Sequence, residues 1–525
     1  MAGLGFELRK VYNKGSFLAK QKAYGYAGII YVGPMILGIL LILAVVYLSV
    51  FGRFGNSERD HLLGLISYSI LASLAITNIF SMVVTRYVSD MLYEEKFEKI
   101  LPSYFSSGAM MLGIGFVSYG LFLFLSGIPL LEIVLNLLLF SELCLIWHAV
   151  NYLTAVKDYR SILKTFAMAI LITLGAGFLA LSLSIPYGLL LSTCIAYAYI
   201  LIQMIRIMYR YFPKSYEANF EFLIWFDEYF NLFKVGIYLF IGLFAHIVIN
   251  WFGPLSKGIG GLFRTAPVYD VSAMLAYLVT LVSTVSFVVS VEVVFYPKFR
   301  KYYQLYDGVG SVDKINQTEV DMLRTLRNEL KYLSWKQLLA TLLAMFVGIV
   351  LLGVLPLGFN SQMKGYFQTL CLGYGLYAVG NVNLLLLLYF VDYEGGKDCA
   401  KWFAGISVIF SILTQFMDTS FIGYGFLLAS LILYLTTTNV IFKQLKILGP
   451  TPGEAMGIPI QGLARNIKIN GEDFTPEEKE QIGYFFDFEK VKELYNPRLS
   501  DNMKNMIANK LEDKSNFYGV EHIEF

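Results

Sequence analysis

Thirty residues without a charge, Ala23 to Gly52, follow a basic arm that carries Arg9, Lys10, Lys14, Lys20 and Lys22. A helix needs about twenty apolar residues to cross the hydrocarbon core of a bilayer, so this run spans with length to spare. The arm sets five Lys/Arg against the single acid Glu7, which places it in the cytoplasm by the bias of basic residues toward that side. The run lacks the short apolar stretch and small-residue cleavage site of a signal peptide, so it is expected to stay in the mature chain. Gly33-Pro34 lies inside it. Proline removes a backbone donor and crowds the carbonyl four residues earlier. A kink is therefore expected at Gly33-Pro34, facing protein or a cavity that satisfies the freed carbonyl.

Similar runs recur through the 525 residues, which are 57% hydrophobic and only 15% charged. That composition reads as a polytopic membrane protein, since a soluble domain has no partner for so much apolar surface. The runs resolve into twelve expected spans, near 24–51, 62–85, 103–126, 130–153, 165–184, 187–205, 235–253, 271–295, 337–356, 366–391, 402–417 and 420–442. Charge counting tests their orientation. The arm and the loops on its side, before span twelve, hold 25 Lys/Arg. The opposite side holds five, Arg53, Arg59, Lys257, Arg264 and Lys364, and the segment 443–525 holds the other eleven. Both termini are thus expected in the cytoplasm. Six spans precede the charged stretch 206–234 and six follow it. The expected organisation is an all-α bundle pair: arm 1–22, first six-helix bundle 23–205, linker 206–234, second bundle 235–442 with a cytoplasmic loop 298–336, and cytoplasmic tail 443–525. Within that loop a helix is expected over Thr318–Leu333, starting with a Thr-x-x-Asp cap. A second is expected over Pro476–Tyr495 in the tail.

No phosphate-binding Gly-x4-Gly-Lys-[Ser/Thr], His-Glu-x-x-His or Gly-x-Ser-x-Gly pattern occurs. Four cysteines without paired spacing suggest neither zinc nor a disulfide framework. The expectation is a chain that is not an enzyme, with no cofactor, no metal and no nucleic acid among its partners. The informative groups are the ionisable ones inside spans, because an acid at mid-membrane costs about 2.5–3.5 kcal/mol on insertion scales. Glu142 is deepest and is the main candidate for proton coupling or substrate contact; its bland alternative is an acid that only packs the bundle. Glu292, near the cytoplasmic end of span eight, fits the path or an interfacial salt bridge equally well. Glu132 lies near the outer surface, where simple solvation is the expected state. His148 and His246 titrate near neutrality when unperturbed and could relay protons, although a lone membrane histidine more often bonds helix to helix. Asn250 accompanies His246. Asp270 and Asp418 fall at outer span ends, where caps and solvated turns are the default.

Met1-Ala2-Gly3-Leu4-Gly5-Phe6-Glu7-Leu8-Arg9-Lys10, then Ala23-Tyr24-Gly25-Tyr26-Ala27-Gly28 and Gly33-Pro34, resemble the Pel exopolysaccharide transporter family (PelG) of the multidrug/oligosaccharidyl-lipid/polysaccharide exporter (MOP) superfamily. Further matching stretches are Lys157-Asp158-Tyr159-Arg160, Phe263-Arg264-Thr265-Ala266-Pro267-Val268-Tyr269-Asp270, Val291-Glu292 and Leu388-Tyr389-Phe390. The resemblance covers residues 1 to about 445, by its fit to the span count. It implies two MATE-like six-helix bundles around a central cavity that move a hexosamine-rich, partly cationic polysaccharide or its precursor outward in biofilm matrix production. It also implies a cytoplasmic glycosyltransferase and a cyclic di-GMP-responsive membrane protein as partners. Glu142 and Glu292 facing a hydrophilic passage between the bundles would suit such a polymer. Alternatives of the same fold are a lipid-linked oligosaccharide flippase and a cation-coupled drug exporter. A different class is a non-transporting scaffold that anchors the glycosyltransferase. A membrane polymerase or acyltransferase is disfavoured by short outer loops without an acid/base pair.

Overall fold

The computed structural model describes residue 28 and residues 32–156, 159–215, 217–306, 312–354 and 360–447. The basic arm, Lys157-Asp158 and the tail beyond Ile447, including the helix expected at 476–495, lie outside these residues. The described chain is helical apart from one hairpin. Its first group of helices is α1 (Gly33–Phe51), α2 (Asn56–Tyr93), α3 (Ile100–Leu125), α4 (Leu130–Val156), α5 (Tyr159–Ser182) and α6 (Gly188–Tyr211). The short α7 (Phe222–Glu228) leads to α8 (Phe230–Asn250), and β1 (Lys257–Gly260) pairs antiparallel with β2 (Phe263–Thr265). After them come α9 (Pro267–Tyr277), α10 (Thr280–Val289), a π-helical turn Ser290–Phe295 and α11 (Tyr296–Tyr306). The chain ends its described part with α12 (Val312–Val354), α13 (Ser361–Tyr389), α14 (Tyr393–Thr414) and α15 (Tyr424–Ile447).

Ten of these segments are long and apolar enough to cross a membrane. They include α2, which at 38 residues runs about 57 Å and outlasts the hydrocarbon core. The apolar helix Ile36–Phe51 within α1 is shorter than the ten, and α14 falls outside them; its first turns carry Glu394, Lys397, Asp398 and Lys401. Large side chains such as Val117, Phe124, Phe346 and Phe416 stay exposed, which in a helical chain of this length marks a lipid-facing surface.

Burial is divided between two cores. The first draws Leu41, Phe80, Tyr104, Phe140, Tyr152 and Ile200 from α1–α6, and Phe263 from the hairpin. The second draws Val235, Tyr269, Tyr374, Phe403, Phe426 and Leu433 from α8–α15. Helix α2 packs on α4 in the first group and on α8 in the second. Gly236 makes the second contact possible: a Cβ there would stand 2.8 Å from the Asn78 carbonyl oxygen. Among the described residues, those of 28–289 with 332–440 form one compact unit, and those of 290–331 with 441–447 belong to another.

The described helix α1 begins at Gly33, with Val32 as its N-cap and Pro34 in the first turn. Gly28 before it is also helical, and the Val32 N–H bonds to the Gly28 carbonyl at 2.9 Å. Residues 29–31, which the kink expected at Gly33-Pro34 involves, lie outside the described range. A Cβ at Gly33 would meet the Leu163 side chain of α5, which would have to shift. The helix expected from Thr318 starts earlier, at Val312, and runs on unbroken as α12. No glycine or proline separates Leu333 from the apolar stretch that follows, so nothing ends the helix there.

The clear break falls in span eight, which divides into α9, α10 and the π-helical turn. Leu278 and Val279 bond back to Leu275 and Ala276 with three-residue spacing. Gln337 of α12 compensates: its Nε2 donates to the Val279 carbonyl at 3.1 Å, and its Oε1 accepts from Ser283 Oγ at 2.8 Å. A side chain inserted at the gap replaces water that a bilayer cannot supply. Gln337→Leu is expected to strand both groups and to cost about 1–2 kcal/mol. The expected outcome is a lower thermal midpoint for the purified full chain.

Candidate functional site

In the first core, α4 presents Glu142 and His148. Glu142 is 5% exposed and its Oε2 has no hydrogen-bond partner. Its surroundings are residues of the first core, with Cys194 of α6 close enough to feel its charge. Glu142 is thus buried, with Cys194 of the same group of helices beside it. His148 is fully buried, stacked on Tyr104 with centroids 5.1 Å apart, and its Nε2 lies 2.6 Å from Ser107 Oγ. Ser107 in turn donates to the Ser103 carbonyl at 2.6 Å. That order leaves the ring to donate from Nε2 and keeps Nδ1 as a bare acceptor, in agreement with its lack of a partner.

A second polar cluster occupies the end where the hairpin lies. Glu132 is not solvated as expected: it is 4% exposed, and its Oε2 lies 2.9 Å from Nε2 of His61 on α2. His61 Nδ1 lies 2.9 Å from the Ile259 carbonyl of β1. Below it, Tyr68 of α2 stacks on Trp251 at the end of α8 with centroids 4.5 Å apart. Tyr68 also donates to the Arg264 carbonyl at 2.8 Å and accepts from the Arg264 N–H at 3.1 Å. Asp270, expected as a solvated cap, accepts from Trp251 Nε1 and from the Ala266 N–H, each at 3.0 Å. These contacts carry the hairpin from the second group of helices onto the first.

In the second core, His246 is satisfied on both ring nitrogens, by Tyr269 Oη at 2.6 Å and Tyr374 Oη at 3.4 Å, and it stacks on Phe426 at 4.2 Å. Asn250 donates to the His246 carbonyl at 2.7 Å and accepts from Gln415 at 3.1 Å. Glu292 falls in the π-helical turn; its side chain lies outside the described residues. In the separate unit, Ser290 Oγ donates to Glu329 at 2.6 Å, and the buried Glu319 keeps an unpartnered Oε2. Among the described residues no group of three His, Cys, Asp or Glu side chains is placed to hold a metal ion.

The structure thus pairs Glu132 with a residue the sequence reading passed over, and it keeps Glu142, His148 and His246 in separate surroundings. His61, Tyr68, Trp251 and Gln337 were missed. The available signal for the first three was loop 253–270, the longest loop on its side, together with the matching stretch from Phe263 to Asp270.

At the linker end, α7 is strapped to α2. Trp225 Nε1 donates to Asp90 at 2.9 Å, and Arg86 donates to the same carboxylate at 3.1 Å. The Arg86 guanidinium also lies 5.3 Å from the centre of the Tyr229 ring, which meets Tyr393 of α14 edge-on at 5.7 Å.

The model of the PelG family, described as "Putative exopolysaccharide Exporter (EPS-E)", matches residues 1–449. A model of a family of unknown function (DUF6020) matches residues 406–523. No curated protein matches the chain. Among solved structures, an outward-facing multidrug resistance MATE family transporter of the MOP superfamily aligns with TM-score 0.55 at 11% identity, covering 80% of this chain and 96% of that one. A MATE protein in the bent conformation aligns with TM-score 0.53 at 13% identity, covering 85% and 99%. A MOP superfamily transporter from Pyrococcus furiosus, described as having a binding pocket of reverse polarity, aligns with TM-score 0.50 at 11% identity, covering 81% and 97%. At these identities the likeness is one of fold.

The hairpin turn supplies a direct check on docking. Gly260 and Gly261 have φ of 148° and 53°, a region that L side chains rarely adopt. A Cβ at Gly261 would also collide with the Ser126 carbonyl. Gly261→Ala is expected to destabilise the docked hairpin by about 1–3 kcal/mol. The expected readout is faster amide hydrogen exchange over 257–265 with helical content unchanged.

Proposed function

The chain belongs to the PelG family of exopolysaccharide exporters, and from that premise we propose that it carries a hexosamine-rich exopolysaccharide, or its precursor, outward across the cell membrane. The ten long apolar segments, with α1 and α14 added, make twelve spans. An even count and the weight of Lys/Arg on one side put both termini in the cytoplasm and the hairpin outside. Transport proceeds by alternating access, with the helices of the two cores rocking about the α2–α8 contact. A cytoplasmic glycosyltransferase and a cyclic di-GMP-responsive membrane protein deliver the polymer, docking on the tail and on the loop 298–336.

The observation that carries this reading is Glu142. A carboxyl at 5% exposure with an oxygen lacking any donor gains nothing for stability where it stands. Its carboxyl can hold a proton in one state of the transporter and lack it in another. Glu142 therefore serves as the proton-coupling acid, and contact with the polymer falls to other surfaces. Each proton moved through 100 mV supplies about 2.3 kcal/mol. Glu292, His148, His246 and Asn250 complete the set of polar groups offered for the path or its coupling.

The test is uptake of labelled hexosamine oligomers into vesicles holding the purified chain, with and without a proton gradient. Wild type is expected to transport only with the gradient. Glu142→Gln is expected to lower gradient-driven transport at least tenfold at equal protein level, because a neutral amide cannot exchange a proton. Gradient-driven transport at the wild-type rate by Glu142→Gln would remove the coupling role.

A further inference from the structure

The two bonds of the His61 ring fix a proton count. Its Nδ1 faces the Ile259 carbonyl and its Nε2 faces the Glu132 carboxyl, each at 2.9 Å. A carbonyl and an ionised carboxylate only accept, and a neutral imidazole has a single N–H to give. Both bonds stand together only when the pair carries one proton beyond neutral imidazole and carboxylate. That proton makes either an imidazolium facing a carboxylate or a neutral ring facing a carboxylic acid; the count is the same.

We infer that His61, Glu132 and the Ile259 carbonyl form a proton-binding site that ties the hairpin to the first core, holding one proton when the hairpin is docked and releasing the hairpin when that proton leaves. The packing agrees. Ile259 fills the space left by Gly64 on α2, and Phe263 is fully buried in the first core. Gly260 lets the turn pass so close that a Cβ there would stand 2.8 Å from His61 Nδ1. The His61 side chain is 25% exposed and opens the site to water, while that of Glu132 is 5% exposed. Once the proton leaves, one acceptor loses its donor in a buried setting. The docked-to-free ratio then falls about five- to a hundred-fold.

Among the described residues, the other charged groups on the surrounding elements are not bonded to His61, Glu132 or the Ile259 carbonyl. On α2 these are Glu58, which accepts from the Gly55 N–H, Arg59, which reaches the Phe54 carbonyl, and Asp60. The hairpin carries the exposed Lys257 and Arg264, the latter bonded to the Trp251 carbonyl and Ser256 Oγ. Asp270 on α9 is held by Trp251 and Ala266. Helix α3 carries no charge, and α4 carries only Glu132 and Glu142. The proposal rests on the exporter reading for its consequence: a proton taken from the outer side closes that side, as an outward exporter driven by inward proton flow requires.

The test reads hairpin position directly. Spin labels at Asn56→Cys and Leu262→Cys, both at exposed positions, report the separation in the full chain in lipid nanodiscs; the native cysteines are buried. The parent pair is expected to give one short distance at acidic pH and a growing longer population as the pH is raised. Adding Glu132→Gln is expected to keep the short distance throughout, since the amide donates to Nε2 while the neutral ring donates to Ile259. Adding His61→Ala is expected to give the longer population at every pH. Distances in the parent that ignore pH, or a Glu132→Gln profile equal to the parent's, overturn the inference. Distances that respond as expected in a chain that moves no hexosamine oligomer keep the proton site and remove the exporter reading.

Discussion

A polar group inside this protein must find its partner in the protein, because a bilayer core supplies no water to complete a hydrogen bond. The described interior follows that constraint closely. Thr77, Thr173 and Thr193 return their hydroxyls to the carbonyl four residues earlier. His246 is closed by two tyrosines, Asn250 by Gln415, and the interrupted turn at Val279 by Gln337. Each solution crosses from one helix to another or folds back on its own, so polar satisfaction and helix packing are specified together.

The same constraint explains why two cores can share one compact unit. Each group of helices meets its own polar needs, and little between them depends on buried polar pairing. Their contact along α2 and α8 relies on close backbone approach at Gly236, and at the hairpin end on the stacked faces of Tyr68 and Trp251. Dispersion contacts of that kind re-form at small displacements more cheaply than broken ion pairs. At the ends of this seam, Asp90 with Trp225 and His61 with the Ile259 carbonyl tie α2 to the segments that follow the first group.

What the sequence made legible follows from the scale of each signal. A span is a property of about twenty residues, and the loops between spans carry unbalanced charge, so ten long apolar helices and the family were within reach. The break in span eight was not, because Leu278 and Val279 carry no breaker residue; the cause is a glutamine nearly sixty positions later. His61 was equally hidden. Beside a charged loop it reads as a solvated residue, and only the fold brings it to Glu132, 71 positions away, and to Ile259, 198 positions away.

Glu132 and Glu142 share a helix, and their difference is what gives the site its direction. Glu132 has a basic partner and a route to water through a partly exposed ring; Glu142 has neither, and its free oxygen faces an interior that otherwise leaves few polar atoms unpaired. An unpaired buried acid loses stability relative to an apolar residue of similar shape, so packing alone gives no reason to keep it. A group held at such a cost is useful where its occupancy by a proton changes. On the proton-coupling reading proposed above, two acids ten positions apart, about 15 Å along one helix, mark a shallow and a deep station for the same particle. The first is coupled to a hairpin and the second to the core that the hairpin covers.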